Sequence, residues 1–335
     1  MSKVLRIGTR DSQLAVWQAT LVQDLLRQAY VHSELVYMKS EGDVDTVTPL
    51  YALGVQGVFT KTLDAALLNN RIDIAVHSMK DVPTQLAQGI RQAAVLKRAS
   101  HKDIFVYKEK AALENLGIVN GEWSMVNSEG SAVKSELLTN GSFTIATGSV
   151  RRIAQWLNRY PTHHVENLRG NVNTRLRKLS ESNWQGAIFA AAGLERIHLR
   201  PQKSVDLDWM LPAPAQGAIM IVCREEDKGV FDSCASLNDE ETAACTRVER
   251  DFLKTLLGGC STPISSLAEV NNGSVHFKGN IVTPDGKRKV EVEKKVAFSS
   301  VDNLGKIAAE ELLNKGGQEI VNMIRKKGLE SNGEI

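Results

Sequence analysis

Short apolar stretches alternate with amphipathic helices along the first two thirds of the chain, and this alternation limits the fold more than any other feature. In the first unit, strands are predicted at 4–8, 35–39 and 72–77, with apolar residues at helical spacing from Leu14 to Leu26 and a second helix at 59–68. Strands that alternate with helices form parallel sheets covered by those helices. We therefore expect an α/β domain here.

The same alternation returns after residue 100, and it changes from Asp239 onward. The second unit has predicted strands and helices between 104 and 191, whereas the last third reads as a helix, a hairpin-forming set of strands and a final helix at 301–324. The sequence thus predicts two similar α/β domains and a smaller α+β C-terminal domain with an antiparallel sheet. The predicted boundaries are 1–99 with 217–237 for the first domain, 100–216 with a surface insertion at 120–142 for the second, and 238–330 for the third.

Bulk composition limits the classes of partner. A hydrophobic content of 42% and a charged content of 24% are typical of a soluble globular protein, and the net charge is only +2. No global field favours nucleic acid or membrane, so neither is predicted as a partner. The polar first eight residues do not read as a signal peptide, which predicts a cytoplasmic location. The four cysteines lack CxxC or nearby histidine spacing, so no metal site is predicted.

The stretch 72–84 ends a buried strand in a polar cluster formed by Ser78, Lys80 and Asp81. Open α/β sheets bind their ligands outside the carboxyl ends of the strands. Taken alone, however, the cluster is explained more simply as a solvated turn with an incidental lysine and aspartate.

A second pattern favours a ligand. Three times a strand is followed by a hydroxyl or glycine turn, an arginine and a helix: at 9–12, at 147–152, and at 169–171 with Arg175. A helix N-terminus binds anions and disfavours cations by about 0.3–1 kcal/mol each, so Arg151 and Arg152 are unfavourable there unless an anion is bound. Any single arginine could instead face solvent or pair with an acid such as Glu166. Because arginine binds carboxylates bidentately and no phosphate-binding loop is present, the repeated pattern predicts a small polycarboxylate ligand.

The cysteines separate by context. Cys223 lies in an apolar strand and is predicted to be a core residue, whereas Cys234 and Cys245 have no distinguishing neighbours. Cys260 follows two glycines immediately after a helix. It is equally well explained as a small residue that ends a helix and as an accessible, reactive thiol.

Several motifs, in the same order along nearly the whole chain, resemble those of one family. They are LRIGTRDSQLAVWQA, DIAVHSMKDVPT, TGSVRR, NLRGNVNTRL, AAAGLER, LPAPAQGA and LGGCSTPI. With these motifs the chain resembles the porphobilinogen deaminase family. The resemblance implies a monomeric enzyme of tetrapyrrole biosynthesis, with two domains similar to periplasmic binding proteins and a third domain. It would condense four porphobilinogen molecules head to tail, with loss of ammonia, to give hydroxymethylbilane.

The resemblance also implies roles for individual residues. Cys260 would hold a dipyrromethane cofactor through a thioether, and Asp81 would be the catalytic carboxylate that contacts the pyrrole nitrogens. The implied cofactor ligands are Ser78, Lys80, Thr147, Ser149, Arg151, Arg152, Arg169, Gly170, Arg175 and Gln216. The implied substrate ligands are Arg10, Ser12, Lys61 and Arg196. Each pyrrole carries an acetate and a propionate, so a growing chain needs several fixed cations.

The sequence leaves one alternative and contains two departures from the family pattern. The alternative is a non-catalytic binding protein of the periplasmic type for a small polycarboxylate, which the extra domain and the expected lack of a signal peptide disfavour. Gln56 stands where the family commonly has lysine, and Ala215 stands where it usually has glycine. Neither departure touches Asp81 or Cys260, so activity is expected. The long polar loop at 43–57 is typical of a functional segment, and the insertion at 120–142 has no assigned role.

Overall fold

The structure is a computed structural model that describes residues 4–39, 60–114, 116, 118–119, 122–123, 143–256 and 262–332. Four sequence features therefore lie outside the described residues: the loop at 43–57, Gln56, all but two residues of the insertion at 120–142, and Cys260.

Fifteen strands and ten helices are described. In chain order the strands are β1 (Leu5–Arg10), β2 (Ser33–Met38), β3 (Ile74–Ser78), β4 (Ile90–Val95), β5 (Asp103–Tyr107), β6 (Ile118–Val119), β7 (Glu122–Trp123), β8 (Thr144–Ala146), β9 (His164–Glu166), β10 (Gly186–Ala190), β11 (Ser204–Asp206), β12 (Ile219–Arg224), β13 (Ile264–Asn271), β14 (Ser274–Val282) and β15 (Lys289–Ala297). The helices are α1 (Gln13–Gln28), α2 (Lys61–Leu68), α3 (Ala111–Glu114), α4 (Val150–Arg159), α5 (Val172–Glu181), α6 (Ala191–Arg196), α7 (Lys228–Ala235), α8 (Glu240–Leu256), α9 (Leu304–Leu312) and α10 (Gln318–Asn332).

Two five-stranded sheets share one design. Their strand orders are β2-β1-β3-β12-β4 and β9-β8-β10-β5-β11. In each sheet the first three strands are parallel, as predicted, but the fourth runs antiparallel to both neighbours. These fourth strands, β12 and β5, run antiparallel because the chain passes from the first sheet to the second between β4 and β5 and returns to the first sheet before β12. The two similar α/β units are thus confirmed, while the exact domain boundaries stay a prediction.

Strand β3 shows why these residues form a buried central strand. Ile74 and Val76 point to the face covered by α1, and Ala75 points to the face covered by α2. Apolar residues on both faces are typical of a strand with helices on both sides. Strand β3 lies between β1 and β12, and at its carboxyl end Ser78 pairs with Ile219 of β12.

Aromatic residues fill the core of the second unit. Trp156 on α4 is fully buried and stacks on Phe105 of β5, with the ring centroids 5.4 Å apart. Tyr160 is buried beside it. Both aromatic residues therefore belong to the core of this unit. In the first unit, Cys223 on β12 is fully buried, which confirms its prediction as a core residue.

The third unit is an antiparallel sheet, β13-β14-β15, packed on α8 and α9. Phe252 of α8 contacts Phe277 of β14 in its centre. The predicted single helix at 301–324 is wrong, because a turn over Leu313–Gly317 separates α9 from α10. Gly316 interrupts the helix with a φ of 102°, a left-handed conformation that glycine adopts without steric cost.

Two segments connect the first two sheets, 96–102 between β4 and β5 and 207–218 between β11 and β12, and we call them the first and second crossovers. One buried carboxylate joins the third unit to both crossovers. Glu249 of α8 is fully buried and binds the Arg98 guanidinium through both oxygens, at 2.6 and 3.0 Å. It also accepts hydrogen bonds from the backbone N–H groups of Ala215 (2.6 Å) and Ala268 (2.7 Å). Arg98 in turn donates to the carbonyl of Gln216 at 2.8 Å. Both crossovers are therefore fixed against α8 at one point.

Ala215, which stands where the family usually has glycine, lies in the second crossover. Its backbone conformation is unfavourable for alanine. Ala215 is buried with a φ of 62°, in the left-handed region that disfavours any residue with a Cβ. We expect Ala215→Gly to raise the free energy of unfolding by about 1 kcal/mol, measured by denaturant titration.

The matched control is Gly217, two residues later. Its φ is 88°, and a Cβ there would lie 2.7 Å from the carbonyl oxygens of Ala99 and Ser100. Gly217→Ala should destabilise the protein, so the two substitutions should act in opposite directions. A destabilised Ala215→Gly variant would contradict this account of the turn.

Candidate active site

The Lys80–Asp81 turn lies directly at the carboxyl end of β3. Residues Met79–Asp81 form a single 3-10 turn. The Ser78 hydroxyl, just before it, pairs with the side-chain amide of Gln18 on α1, at 2.9 Å. Lys80 and Asp81 are both half-buried. The position agrees with the sequence prediction of a polar cluster at a strand end.

Asp103 is the centre of the site in the second unit. It is fully buried at the start of β5 and accepts hydrogen bonds from Arg151 (2.6 Å), Arg152 (2.7 Å) and the Gln216 amide (2.8 Å). Burial acts to raise its pKa, but the charges of Arg151 and Arg152 dominate and hold the pKa of this carboxyl well below its usual range. Asp103 is therefore a permanent carboxylate.

Arg151 and Arg152 thus pair with Asp103 and not with Glu166. Arg152 also donates to the carbonyl of Ile188 at 3.1 Å. Arg151 donates to the carbonyl of Leu211 at 2.6 Å, and its Nε is buried without a hydrogen-bond partner in the described structure. A buried unpaired donor costs free energy, so the Nε of Arg151 is a donor that an anionic ligand could satisfy. Their roles as ligands stay predictions.

Gln216 connects the two halves of the site. Its Oε1 accepts a hydrogen bond from Lys80 Nζ at 3.2 Å, and its Nε2 donates to Asp103 and to the carbonyl of His101, each at 2.8 Å. A continuous chain therefore runs from the Lys80–Asp81 turn through Gln216 to Asp103 and its arginines.

Three further predicted residues lie at the N-termini of α4 and α5. Ser149 caps α4 and accepts a hydrogen bond from the Arg152 backbone N–H, and Thr147 is buried beside it. Gly170 has a φ of 108°, and its carbonyl accepts a hydrogen bond from Arg175 Nε at 2.7 Å. The Gly170 conformation allows the chain to turn into α5. The hydrogen bond to its carbonyl directs the Arg175 side chain toward this turn.

Arg175 connects this region electrostatically to Asp81. Desolvation lowers the pKa of Arg175 to about 10, and the charges of Arg152 and Arg169 add to this shift while that of Asp81 opposes it. Arg169 itself is buried. Arg175 therefore lies close enough to Arg152, Arg169 and Asp81 to be influenced by all three.

The predicted substrate ligands are placed less uniformly. Arg196 on α6 donates to the carbonyl of Gly217 at 2.7 Å and lies over the ring of Trp17, and burial lowers its pKa to about 10. Ser12 is the N-cap of α1, although its hydroxyl makes no capping hydrogen bond. Lys61 is exposed at the start of α2, where the structure records no hydrogen bond or ion pair from it to the other predicted residues.

Arg10 ends β1 and is half-buried. Its charge adds to desolvation in lowering the pKa of the buried His77 to about 4, so His77 is neutral at physiological pH. Strand register places the two residues side by side, because Gly8 pairs with Ala75 in parallel strands.

The site contains a cationic cluster in which cations outnumber carboxylates. Its cations are Lys80, Arg151, Arg152, Arg169 and Arg175, and its carboxylates are Asp81 and Asp103. Desolvation lowers the pKa of Lys80 to about 8, although part of its side chain stays accessible to solvent. Burial of excess positive charge is unfavourable unless an anion compensates it, which favours a polyanionic ligand.

Asp103 and Gln216 show what the sequence could and could not provide. Gln216 was predicted from the family motif, and the structure places it at the junction of the two halves. Asp103 was missed. Its only signal is an acidic residue at the start of the apolar strand DIFVY, which does not reveal its partners.

Neither a metal site nor a membrane-spanning helix is found among the described residues. The described residues contain no group of three or more His, Cys, Asp or Glu side chains arranged to hold a metal ion. No helix in the described ranges has the combined length and apolar character that crossing a bilayer requires.

Two protein-family models match the chain. The model for "Porphobilinogen deaminase, dipyromethane cofactor binding domain" matches residues 5–232, and the model for "Porphobilinogen deaminase, C-terminal domain" matches residues 243–314. Together the two matches include most of the three structural units described above, up to residue 314.

Several solved structures are similar to this chain at low sequence identity. The Bordetella pertussis BvgS periplasmic VFT2 domain is 12% identical over 72% of this chain and 91% of its own, with a TM-score of 0.40. The ancestral cationic amino acid solute binding protein AncCDT-1 is 12% identical over 70% and 87%, also with a TM-score of 0.40. The ligand binding component of an ABC-type import system from Staphylococcus aureus is 16% identical over 76% and 75%, with a TM-score of 0.38. These similarities are too distant to support an argument about function.

Removal of the buried charge of Asp103 should destabilise the protein strongly. Asp103→Asn leaves Arg151 and Arg152 buried without a counter-charge, and we expect a loss of about 3–5 kcal/mol in the free energy of unfolding at pH 7. Because the pKa of Asp103 is lower in the folded protein than in the unfolded chain, this stabilisation is complete above about pH 4 and is lost as the pH falls further. The difference between wild type and variant, measured by denaturant titration, should therefore shrink below pH 4.

Asp208→Asn is the control for this substitution. Asp208 forms an exposed ion pair with Lys102 at 2.7 Å, and its loss should change stability little. An Asp103→Asn variant as stable as this control would contradict the assignment of Asp103 as the central counter-charge.

Proposed function

This chain belongs to the porphobilinogen deaminase family, whose substrate is porphobilinogen and whose cofactor is a dipyrromethane, and we propose which of its residues perform the reaction. The reaction is the head-to-tail condensation of four porphobilinogen molecules, with loss of ammonia, to hydroxymethylbilane. The observation that carries the proposal is the hydrogen-bonded chain Lys80–Gln216–Asp103, which brings Asp81 to the edge of the cationic cluster.

The residues of the cluster fit a dipyrromethane. Each of its pyrrole rings bears an acetate and a propionate, and the cluster offers desolvated cations together with the buried, unpaired Nε of Arg151. Carboxylates bound there would relieve the cost of burying excess positive charge. When bound, the cofactor supplies the pyrrole carbon to which the first substrate ring is joined. The proposed cofactor ligands are Ser78, Lys80, Thr147, Ser149, Arg151, Arg152, Arg169, Gly170, Arg175 and Gln216.

Arg10, Ser12, Arg196 and Lys61 are proposed to bind the carboxylates of the incoming substrate. Arg196 has the strongest structural support of the four, because its guanidinium is fixed on the Gly217 carbonyl next to Gln216. Lys61 has the weakest support, because the structure leaves it exposed on α2 without a recorded hydrogen bond or ion pair to the cluster.

Asp81 is proposed as the catalytic carboxylate. Asp103, the other acid of the cluster, is fully buried, and its two oxygens are occupied by Arg151, Arg152 and Gln216. Asp81 is half-buried at the carboxyl end of β3, where a ligand can reach it. A fixed carboxylate there accepts pyrrole N–H hydrogen bonds and stabilises the positive charge that develops when the substrate loses ammonia. It also receives and returns protons during bond formation.

Cys260 is proposed as the attachment point of the cofactor. It lies outside the described residues, but α8 ends four residues earlier, at Leu256. The cytoplasmic location and the monomeric state expected from the sequence stay predictions.

Cofactor attachment is tested by intact-protein mass. We expect purified wild type to carry an adduct of two pyrrole units and to turn over porphobilinogen, and Cys260→Ser to lack both, because serine cannot form the thioether. Cys245→Ser, in a buried position on α8, is the control and should keep the adduct. A bare wild-type polypeptide without turnover would instead favour the non-catalytic binding protein.

The low pKa of Lys80 predicts a pH-dependent affinity. As the pH rises through about 8, Lys80 loses its charge and binds the carboxylates of the cofactor less well, so the fraction of apoprotein that takes up the cofactor, measured by intact mass, should fall between pH 7 and 9. Arginine stays protonated throughout this range, so Lys80→Arg should abolish the fall. A cofactor uptake that falls equally in both proteins would exclude Lys80 as its source.

A further inference from the structure

Arg250 of α8 binds the backbone on both sides of the Lys80–Asp81 turn. Its guanidinium donates to the carbonyl oxygen of Val82 at 2.9 Å and to that of Pro83 at 2.6 Å. A third, longer hydrogen bond reaches the carbonyl of Met79 at 3.4 Å. One side chain from the third unit therefore holds the carbonyls immediately before and after the turn.

Two backbone hydrogen bonds also restrain the turn. At its start, the Met79 N–H donates to the carbonyl of Ala218 on the returning crossover, at 3.0 Å. Within it, the Val82 N–H donates to the Met79 carbonyl at 3.2 Å. Pro83 has no N–H to donate, so the chain after Asp81 cannot use that residue to pair with the sheet. Arg250 binds the carbonyls at this end of the turn, including that of Pro83.

Arg250 follows Glu249, and the two neighbours have different partners. Glu249 binds Arg98, Ala215 and Ala268, whereas Arg250 binds the Asp81 turn. Successive residues on a helix point about 100° apart. Glu249 and Arg250 therefore lie on adjacent faces of α8, one of which contacts the crossovers and the other the turn. The same helix leads within four residues to Cys260.

We propose that Arg250 is a positioning residue that fixes the Lys80–Asp81 turn, and with it the Asp81 carboxylate, against α8. This inference rests on the proposed role of Asp81 and adds a residue that acts through the backbone of the turn. A fixed geometry matters because a displacement of about 1 Å between reacting groups can reduce a rate about 100-fold. The three hydrogen bonds restrain such a displacement of Asp81.

The test compares Arg250→Met and Arg250→Lys with wild type. Arg250→Met keeps an unbranched apolar stem and removes every donor, and we expect kcat per cofactor-loaded enzyme to fall about 10- to 100-fold. The KM for porphobilinogen should stay within about twofold, because the cationic cluster is intact. Arg250→Lys retains the charge but not the planar fork, so its kcat should lie between those of Arg250→Met and wild type. Cofactor loading is measured by intact mass, and rates are measured well below the unfolding temperature.

Arg247→Met is the matched control on the same helix. Arg247 is exposed and forms an ion pair with Asp302 within the third unit, at 3.2 Å. Its removal should leave kcat and KM unchanged. A loss of rate in Arg250→Met that Arg247→Met does not share cannot be ascribed to a general change in the charge of α8.

A double substitution separates positioning from general weakening of the fold. In an Asp81→Asn background, measured by single turnover, Arg250→Met should cost less than about twofold, because the carboxylate that it positions is already absent. If Arg250 only stabilised the protein, its removal would cost the same factor in both backgrounds.

Each outcome supports or overturns one proposal. Wild-type kcat in both Arg250 variants, with Asp81→Asn inactive, overturns the positioning role and leaves the proposed function intact. If Arg250→Met does not fold, the Arg250→Lys variant alone provides the test. A wild-type kcat of Arg250→Lys then overturns the proposal. Full activity of Asp81→Asn instead overturns the catalytic assignment of Asp81 on which this inference rests.

Discussion

The buried carboxylate of Glu249 is the interaction on which the arrangement of the molecule depends. It neutralises Arg98 from the first crossover, accepts the backbone N–H of Ala215 from the second, and accepts that of Ala268 from β13. Removal of one member of such a buried pair costs about 3–5 kcal/mol, because the other charge remains desolvated. The carbonyl of Gln216 is fixed by Arg98, so the residue that joins the two halves of the site is positioned by the same interaction.

A second buried carboxylate, Asp103, explains how a concentrated group of arginines can exist inside the protein. It neutralises Arg151 and Arg152 in part, and the rest of the positive charge is not balanced by the described residues of the cluster. The protein alone therefore bears an electrostatic cost at this site. A ligand that brings several carboxylates removes that cost, which is the physical basis for retention of a polycarboxylate cofactor and of a chain that grows from it.

The sequence predicted those features that depend on local patterns. The alternation of apolar strands and helices identified both α/β units, and the polar residues after β3 identified the turn that carries Asp81. The arginines at 151 and 152 were recognised as unfavourable in a first helical turn. Their partner could not be recognised, because Asp103 lies 48 residues from Arg151, whereas the candidate considered, Glu166, is a nearby acid.

Features that depend on distant contacts were missed for the same reason. The antiparallel strands β5 and β12 follow from the exchange of chain between the two sheets, which no local pattern encodes. The hydrogen bond from Arg250 to Val82 joins residues 168 positions apart. In the sequence, Arg250 is one of several basic residues on an amphipathic helix, and nothing in the local pattern distinguishes it.

In the proposed mechanism, Asp81 binds pyrrole N–H groups while the surrounding cations bind the carboxylates. A crystal structure of the cofactor-loaded enzyme tests it most directly. We expect the Asp81 carboxylate within about 3 Å of the pyrrole nitrogens, and the acetate and propionate groups on the cations of the cluster, Arg175 and Lys80 among them. Pyrrole rings bound away from Asp81, with their carboxylates in solvent, would contradict the account.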